Sequence, residues 1–276
     1  MLHNIADQEW FELQFEPELA AQRGIPIPGF PGDHHQVSFT GMSGRQNLEQ
    51  AFSFYKYARK AANLDEVNNP HILDFGVGWG RIARFWLRDT RPENITASDT
   101  MDLAVSLLRE LKAPYDVVKN PPFPPGDYKH KYDLVYAFSV FSHLSEKYTI
   151  AWIDHLIEQL EPNGRLVLTT RGNDFIRDIS YIKGQTEEFI EAQIVGGAGE
   201  YLRQLRRTFP DPAILRERYD AGEFQFFQLT DGRLPDECTG ETIIPRAFFE
   251  QRYGERLLGF DQDVEYVNQA VVTLRR

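Results

Sequence analysis

Residues 72–81 read ILDFGVGWGR: a short apolar run, an aspartate, and three glycines on alternate positions closed by an arginine. The apolar run suits a buried strand. Glycines directly after a strand mark a turn whose backbone takes positive φ or lies close against another group. In open α/β sheets, such a strand-to-helix turn sits beyond the carboxyl ends of the strands, where ligands bind. The chain on either side of it therefore decides the fold.

Downstream, strand-like and helix-like patterns alternate. HILDF (71–75) reads as a strand before a helix over GRIARFWLRD (80–89), and ITASD (95–99) as a strand before a helix over MDLAVSLLREL (101–111). YDVV (115–118) is a third strand, followed by the proline-rich NPPFPPG (120–126). YDLVYAF (132–138), SEKYTIAWIDHLIEQL (145–160) and RLVLTT (165–170) then give strand, helix and strand. This rhythm predicts a mostly parallel, doubly wound sheet with helices on both faces. Residues 172–222 break it with charge and tyrosine, and read as a helical insertion with helices around 185–206 and 211–220. The core resumes with FQFFQL (224–229) as a strand and PRAFFEQRYG (245–254) as a helix. Two closely spaced strands, in RLLGFDQDV (256–264) and NQAVVTLRR (268–276), end it as an antiparallel pair on the sheet edge. The expected architecture is an α/β, seven-stranded sheet over residues 70–276 with an antiparallel C-terminal strand.

Upstream, residues 5–22 read as one amphipathic helix and RGIPIPGFPGDHH (23–35) as loop. SGRQNLEQAFSFYKYARKAANL (43–64) reads as a helix with Ser43 as N-cap. Residues 1–69 are thus expected as an N-terminal helical and loop extension, serving as a lid or an acceptor-binding region.

The 276 residues carry 30 Lys and Arg against 41 Asp and Glu, a net charge of −11. A surface that acidic repels a phosphate backbone and argues against nucleic acid as a partner. The single cysteine, Cys238, fits a reducing cytoplasm. The N-terminal residues lack the basic start and apolar centre of a signal peptide, and no run approaches the roughly 20 apolar residues of a membrane span. Adjacent His34 and His35, after Asp33, do not converge on one ion as helix ligands four residues apart do, so no metal site is expected.

The spacing of the glycines separates possible ligands. A dinucleotide fingerprint requires GxGxxG, whereas Gly76, Gly78 and Gly80 form GxGxG; no Gly-Lys-Ser/Thr follows, which excludes a P-loop. Asp99 stands 19 positions past Gly80, at the end of the next strand, and its carboxylate is able to accept from two hydroxyls at once. With LEPNGRLVLTT (160–170), these features make residues 70–171 resemble class I S-adenosylmethionine-dependent methyltransferases closely, and residues 240–276 more loosely.

The resemblance implies S-adenosylmethionine as donor and S-adenosylhomocysteine as product. It implies roles for Asp74, Gly76, Gly78, Gly80, Asp99 and Thr100 in binding the cofactor, with Asp99 on the ribose. Asp74 is expected to orient the glycine loop or the cofactor's amino group. Asn120 is expected near the adenine, its carbonyl accepting from the amine, and Phe138 and Ser139 at the methionine end. Asn120-Pro121-Pro122-Phe123 also matches the letters of an amino-group methyltransferase motif, but it follows the third strand instead of the fourth.

Methyl transfer from a sulfonium is an in-line displacement, in which alignment supplies much of the acceleration and a base is needed only for acceptors that lose a proton early. His143, just past the fourth strand, is the candidate base. Trp79 and Arg81 read as packing or surface residues. The TGMSG stretch (40–44), with Met42 and Ser43, suits a closing segment, and Tyr181, Tyr201, Arg203 and Arg206 are candidate acceptor contacts. The expected activity is methylation of an oxygen or nitrogen on a small-molecule or glycan-like acceptor. A methyltransferase-like scaffold protein and a NAD(P)-dependent oxidoreductase are the alternatives.

Overall fold

The computed structural model describes residues 5–193, 199–229 and 234–276. Strand β1 (Ile72–Phe75) is buried at all four positions, as a strand covered on both faces must be. It pairs in parallel with β2 (Ile95–Asp99), which pairs with β3 (Asp116–Lys119). On its other side lie β4 (Tyr132–Ala137) and then β5 (Leu160–Thr170), both parallel to it. Strands β6 (Gln225–Gln228) and β7 (Gly240–Ile243) follow in the chain, and then β8 (Leu257–Asp261) and β9 (Ala270–Arg275). The main sheet runs β3-β2-β1-β4-β5-β9-β8, with β9 antiparallel to both neighbours. This is the expected seven-stranded sheet, with its chain reversal between β1 and β4.

FQFFQL does not join that sheet. Its strand, β6, pairs antiparallel with β7 in a separate two-stranded sheet. Gly240 permits the pairing, because a Cβ there would lie 2.3 Å from the ring of Phe226. The small sheet is joined to the main one at a single bridge, Arg171 to Ile243, and Thr242 N–H donates to the Ser142 carbonyl beyond β4. The edge of β7 thereby reaches the ligand end of the main sheet.

The N-terminal region differs from expectation in detail. The single helix over 5–22 divides into α1 (Asp7–Leu13) and α2 (Pro17–Gln22), since Pro17 is accepted at a helix start and not in its interior. Helix α3 (Asp33–Thr40) begins inside the stretch read as loop, and α4 (Gly44–Ala61) follows as predicted. After β1, GRIARFWLRD forms only a 3-10 segment at Ala83–Arg88, buried at all six positions. The extension lies on it: the Trp10 indole donates to the Phe85 carbonyl, and Arg84 donates to Gln14 and to the Pro28 carbonyl. Trp10, Phe11, Leu48 and Phe54 share one core with Phe85, Trp86, Leu134 and Tyr136, so residues 5–69 complete a face of the sheet. A second core, including Phe75, Phe141, Trp152 and Phe249, covers the other face.

Helices α5 (Asp102–Glu110) and α6 (Glu146–Glu158) follow β2 and β4. The insertion holds α7 (Asn173–Lys183), α8 (Glu187–Ala192), α9 (Gly199–Thr208) and α10 (Pro212–Asp220). It packs through its own cluster of Phe175, Ile179, Leu205, Phe209 and Leu215 against Ile243 of β7. Helix α11 (Arg246–Tyr253) leads into β8. Among the described residues no helix is long and apolar enough to cross a membrane.

Candidate functional site

The turn after β1 is fixed by its own backbone. Gly76 has φ +81° and its N–H donates to the Ser98 carbonyl at 2.8 Å; a Cβ would stand 2.2 Å from a methyl of Val140. The turn opens into a cavity of about 500 Å³ at the carboxyl ends of β1, β2 and β4. Asp74, Gly76, Gly78, Asp99, Thr100, Asn120, Phe138, Ser139 and His143 all line it. Of the residues assigned to the cofactor, Gly80 alone stands outside. Its φ is +82°, and a Cβ would lie 2.6 Å from the Tyr115 hydroxyl and 2.9 Å from Leu108, so this glycine serves packing beneath the turn.

The two acids divide their work differently from expectation. Asp99, not Asp74, holds the glycine loop: its Oδ2 accepts from Gly78 N–H at 2.9 Å and its Oδ1 from Met101 N–H at 2.8 Å. Burial raises its pKa, against the lowering effect of these N–H bonds. The Asp74 side chain accepts from the Tyr136 hydroxyl at 2.5 Å. Burial pushes its pKa up to about 8, and the tyrosine bond offsets only part of that.

Asn120 lies at the end of β3 with its N–H on the Asp99 carbonyl. Its Oδ1 accepts from Tyr128 at 3.0 Å, while Nδ2 is buried with no partner among the described residues. The group it offers is therefore a donor and not the expected carbonyl acceptor. Trp79 and Arg81 are both buried, not surface residues. Arg81 donates to Asn47 and Gln50 and lies 4.5 Å over the Phe138 ring, and burial lowers its pKa to about 10. Ser139 takes φ +59°, held by its N–H on Thr169 and by Gln269 donating to its hydroxyl.

The 40–44 stretch does not close on the cavity. Asn47 donates to the Met42 carbonyl and to Thr40, and Gly44 N–H donates to Gln36, which fixes the stretch as the link between α3 and α4. Only its first residue, Thr40, lines the cavity, beside Ser38 and Phe39 of α3, with Phe39 against Gly78. His34 is exposed on the first turn of α3 and His35 is half-buried beside it, in helix and not in the loop expected there.

On the far wall stand His143, Tyr201 of α9, and Gly240 and Glu241 of β7. His143 Nδ1 is 2.8 Å from the Gly240 carbonyl, and 3.6 Å from Glu241. Glu241 also accepts from Arg171 at 2.9 Å and from Tyr201 at 2.7 Å. Burial works to raise the Glu241 pKa, but the Arg171 charge, the neighbouring His143 ring and the hydrogen bonds from Tyr201 and Arg171 together leave it lowered. Glu241 and Arg171 carry no local sequence signal, since their partners stand 70 and more positions apart or on separate elements. Of the other acceptor candidates, Tyr181 is exposed, and Arg203 and Arg206 pair with Glu187 on the outer face of α8 and α9. Cys238 lines the cavity with its thiol pushed up to about 11 by burial.

Residues 73–166 match the family model of a methyltransferase domain. No curated protein matches the chain by sequence. Among solved structures, DesVI from Streptomyces venezuelae is similar at 12% identity and a TM-score of 0.54, over 90% of this chain and 100% of that one. An S-adenosylmethionine-dependent methyltransferase from Clostridium acetobutylicum is similar at 12% identity and a TM-score of 0.51, over 82% and 91%. The sugar N-methyltransferase KedS8 from a Streptoalloteichus species is matched at 15% identity and a TM-score of 0.36 over 41% of this chain. The chain spans 46% of that relative's length. At these identities the likeness concerns the fold.

Proposed function

With a class I methyltransferase domain that uses S-adenosylmethionine as the premise, we propose that the chain methylates an oxygen or nitrogen of a small-molecule or glycan-like acceptor, with His143 taking the acceptor's proton. The observation that carries this reading is a single cavity with two chemically different walls. One wall is the glycine turn with Asp99 and Asn120; the other holds a histidine whose Nδ1 lies 2.8 Å from the Gly240 carbonyl.

The first wall fits the cofactor. Asp99 has lone pairs left for the ribose hydroxyls after its two N–H bonds. The unpartnered Asn120 Nδ2 suits a ring nitrogen of the adenine. Gly76 and Gly78 let the cofactor lie against bare backbone, near Asp74 and Ser139. When bound, S-adenosylmethionine supplies a methyl group that is already electrophilic, and the chain's task is to align a nucleophile behind it.

The second wall supplies the base. A carbonyl only accepts, so Nδ1 of His143 carries the proton that bonds Gly240. In the neutral ring Nε2 then bears a lone pair and is able to take a proton from a hydroxyl or an ammonium. A volume of about 500 Å³ falls within the range of small-ligand sites. Among the described lining residues Asp74, Asp99 and Glu241 are acids, and the guanidinium of Arg81 is engaged by Asn47 and Gln50. Such a wall offers little to a nucleic-acid backbone. Ser38–Thr40 of the extension and Tyr201 of the insertion line the cavity, which supports a part for both in selecting the acceptor. A cytoplasmic setting suits the lone buried cysteine.

The test has two stages. Calorimetry should give micromolar binding of S-adenosylmethionine and S-adenosylhomocysteine, and none of NADH. The protein is then incubated with methyl-labelled cofactor and a panel of phenols, alcohols, sugars, amines, thiols and activated carbon acids. Label on a hydroxyl or amine, and its loss in His143→Gln, is the expected result. Label only on sulfur or carbon would overturn the acceptor class, and full transfer by His143→Gln would remove the histidine as base.

A further inference from the structure

Glu241 is a carboxylate with 2% side-chain exposure, ion-paired to Arg171 at 19%. Taking two charges out of water offsets most of what their attraction returns, so such a pair is weak evidence of a stability role. Its geometry has another use. Oε2 faces Arg171 at the end of β5. Oε1 faces both the Tyr201 hydroxyl, on the insertion, and Nδ1 of His143 at 3.6 Å. The preceding residue, Gly240, is the one whose carbonyl accepts from that same Nδ1.

We infer that Glu241 is a positioning residue for His143: anchored by Arg171 and Tyr201, it keeps the ring proton on Nδ1 and leaves Nε2 as the acceptor. This rests on the reading of His143 as the base. A negative charge 3.6 Å from Nδ1 favours a proton there and disfavours the tautomer that would turn a lone pair toward it. When Nε2 takes a second proton, the same carboxylate balances the charge that appears on the ring. A carbonyl alone supplies a weaker version of the first effect and little of the second. The anchor also reaches the insertion, because Tyr201 on α9 donates to Glu241.

The test needs no acceptor. Long-range 1H–15N spectra of the full chain, bound to S-adenosylhomocysteine and recorded where the ring is neutral, report which ring nitrogen carries the proton. The His143 signals are assigned by their loss in His143→Gln. In the parent, Nδ1 should be protonated and Nε2 bare. In Glu241→Gln the ratio of the two tautomers should fall at least five-fold toward a mixture. Because that substitution strands the buried Arg171 charge, the double variant Glu241→Gln with Arg171→Gln, which removes both charges of the pair, is measured beside it. Glu241→Asp should restore much of the parent ratio.

A parent ring protonated at Nε2 would overturn the base reading itself. A parent ring protonated at Nδ1, with the ratio unchanged in the double variant, would overturn only the role given to Glu241.

Discussion

The two walls of the cavity are built in opposite ways. The wall proposed for the cofactor comes from one continuous stretch, Asp74 to Ser139, in which the strands deliver cavity-lining residues at their carboxyl ends. The wall proposed for the acceptor is gathered from residues 143, 201, 240 and 241, on the turn past β4, helix α9 and β7. The first wall is positioned by strand register and backbone bonds, such as Gly76 on Ser98 and Asn120 on Asp99. The second depends on side chains reaching between elements, above all the Arg171–Glu241–Tyr201 set. The first wall is thus built by the sheet itself and the second by pieces added to it, which are free to vary without disturbing the sheet.

If that division is real, substitutions on the two walls should part cleanly. The largest effect is expected for His143→Gln, which should lower turnover by about 100- to 10,000-fold, the span of general base contributions. Affinity for S-adenosylhomocysteine, measured by calorimetry, should hold; a parallel loss of affinity would break the division. Asp99→Ala should act the other way. Hydrogen bonds to charged groups are each worth about 1.5–3 kcal/mol, so losing those to the ribose predicts about a 100-fold or greater fall in cofactor affinity.

Gly80 sharpens the comparison, since it belongs to the glycine turn and not to the cavity. Gly80→Ala should cost about 1–3 kcal/mol of stability by overpacking against Tyr115 and Leu108. Thermal denaturation would register the loss, and cofactor affinity should change far less than in Asp99→Ala.

A pH dependence tests the buried acid of the cofactor wall. Asp74 keeps its proton up to about 8 in the folded chain, against an ordinary 3.8. The unfolded chain releases that proton first. Stability from this group is therefore complete below about pH 4 and is lost as pH rises toward 8, at up to about 1.4 kcal/mol per pH unit. Asp74→Asn should flatten this part of the stability profile in urea melts at several pH values; an unchanged slope would place the titration elsewhere. The smallest effect is expected at Tyr181, exposed on α7. Tyr181→Ala should shift stability by no more than about 0.5 kcal/mol and leave both walls intact.

What was legible in the sequence follows the same line. The sheet and its reversed last strand could be read from strand runs, and Asp74, the turn glycines and Asp99 from their places at strand ends; the family resemblance added Thr100, Asn120, Phe138 and Ser139, and of these nine residues all but Gly80 line the cavity. Asn120 was found by the same means, yet which of its amide atoms is free depends on Tyr128, eight positions on, and on how NPPFPPG folds back. Asp74 and Asp99 were both named, but their division of labour required knowing that Tyr136 lies beside one and Gly78 beside the other.

The amino-acid pattern therefore sufficed for the architecture and for the turn that lines the cavity, because alternation of apolar runs and the placement of glycine act within a few residues of each other. Only the tertiary structure decided the acceptor wall. Glu241 is one acid among 41 Asp and Glu in the chain. Its meaning arises when β7 docks beside Arg171 and α9 brings Tyr201 over it, contacts spanning 70 and 40 positions that no local pattern encodes. Burial then gives that carboxylate its weight, since a charge removed from water must be met by specific partners.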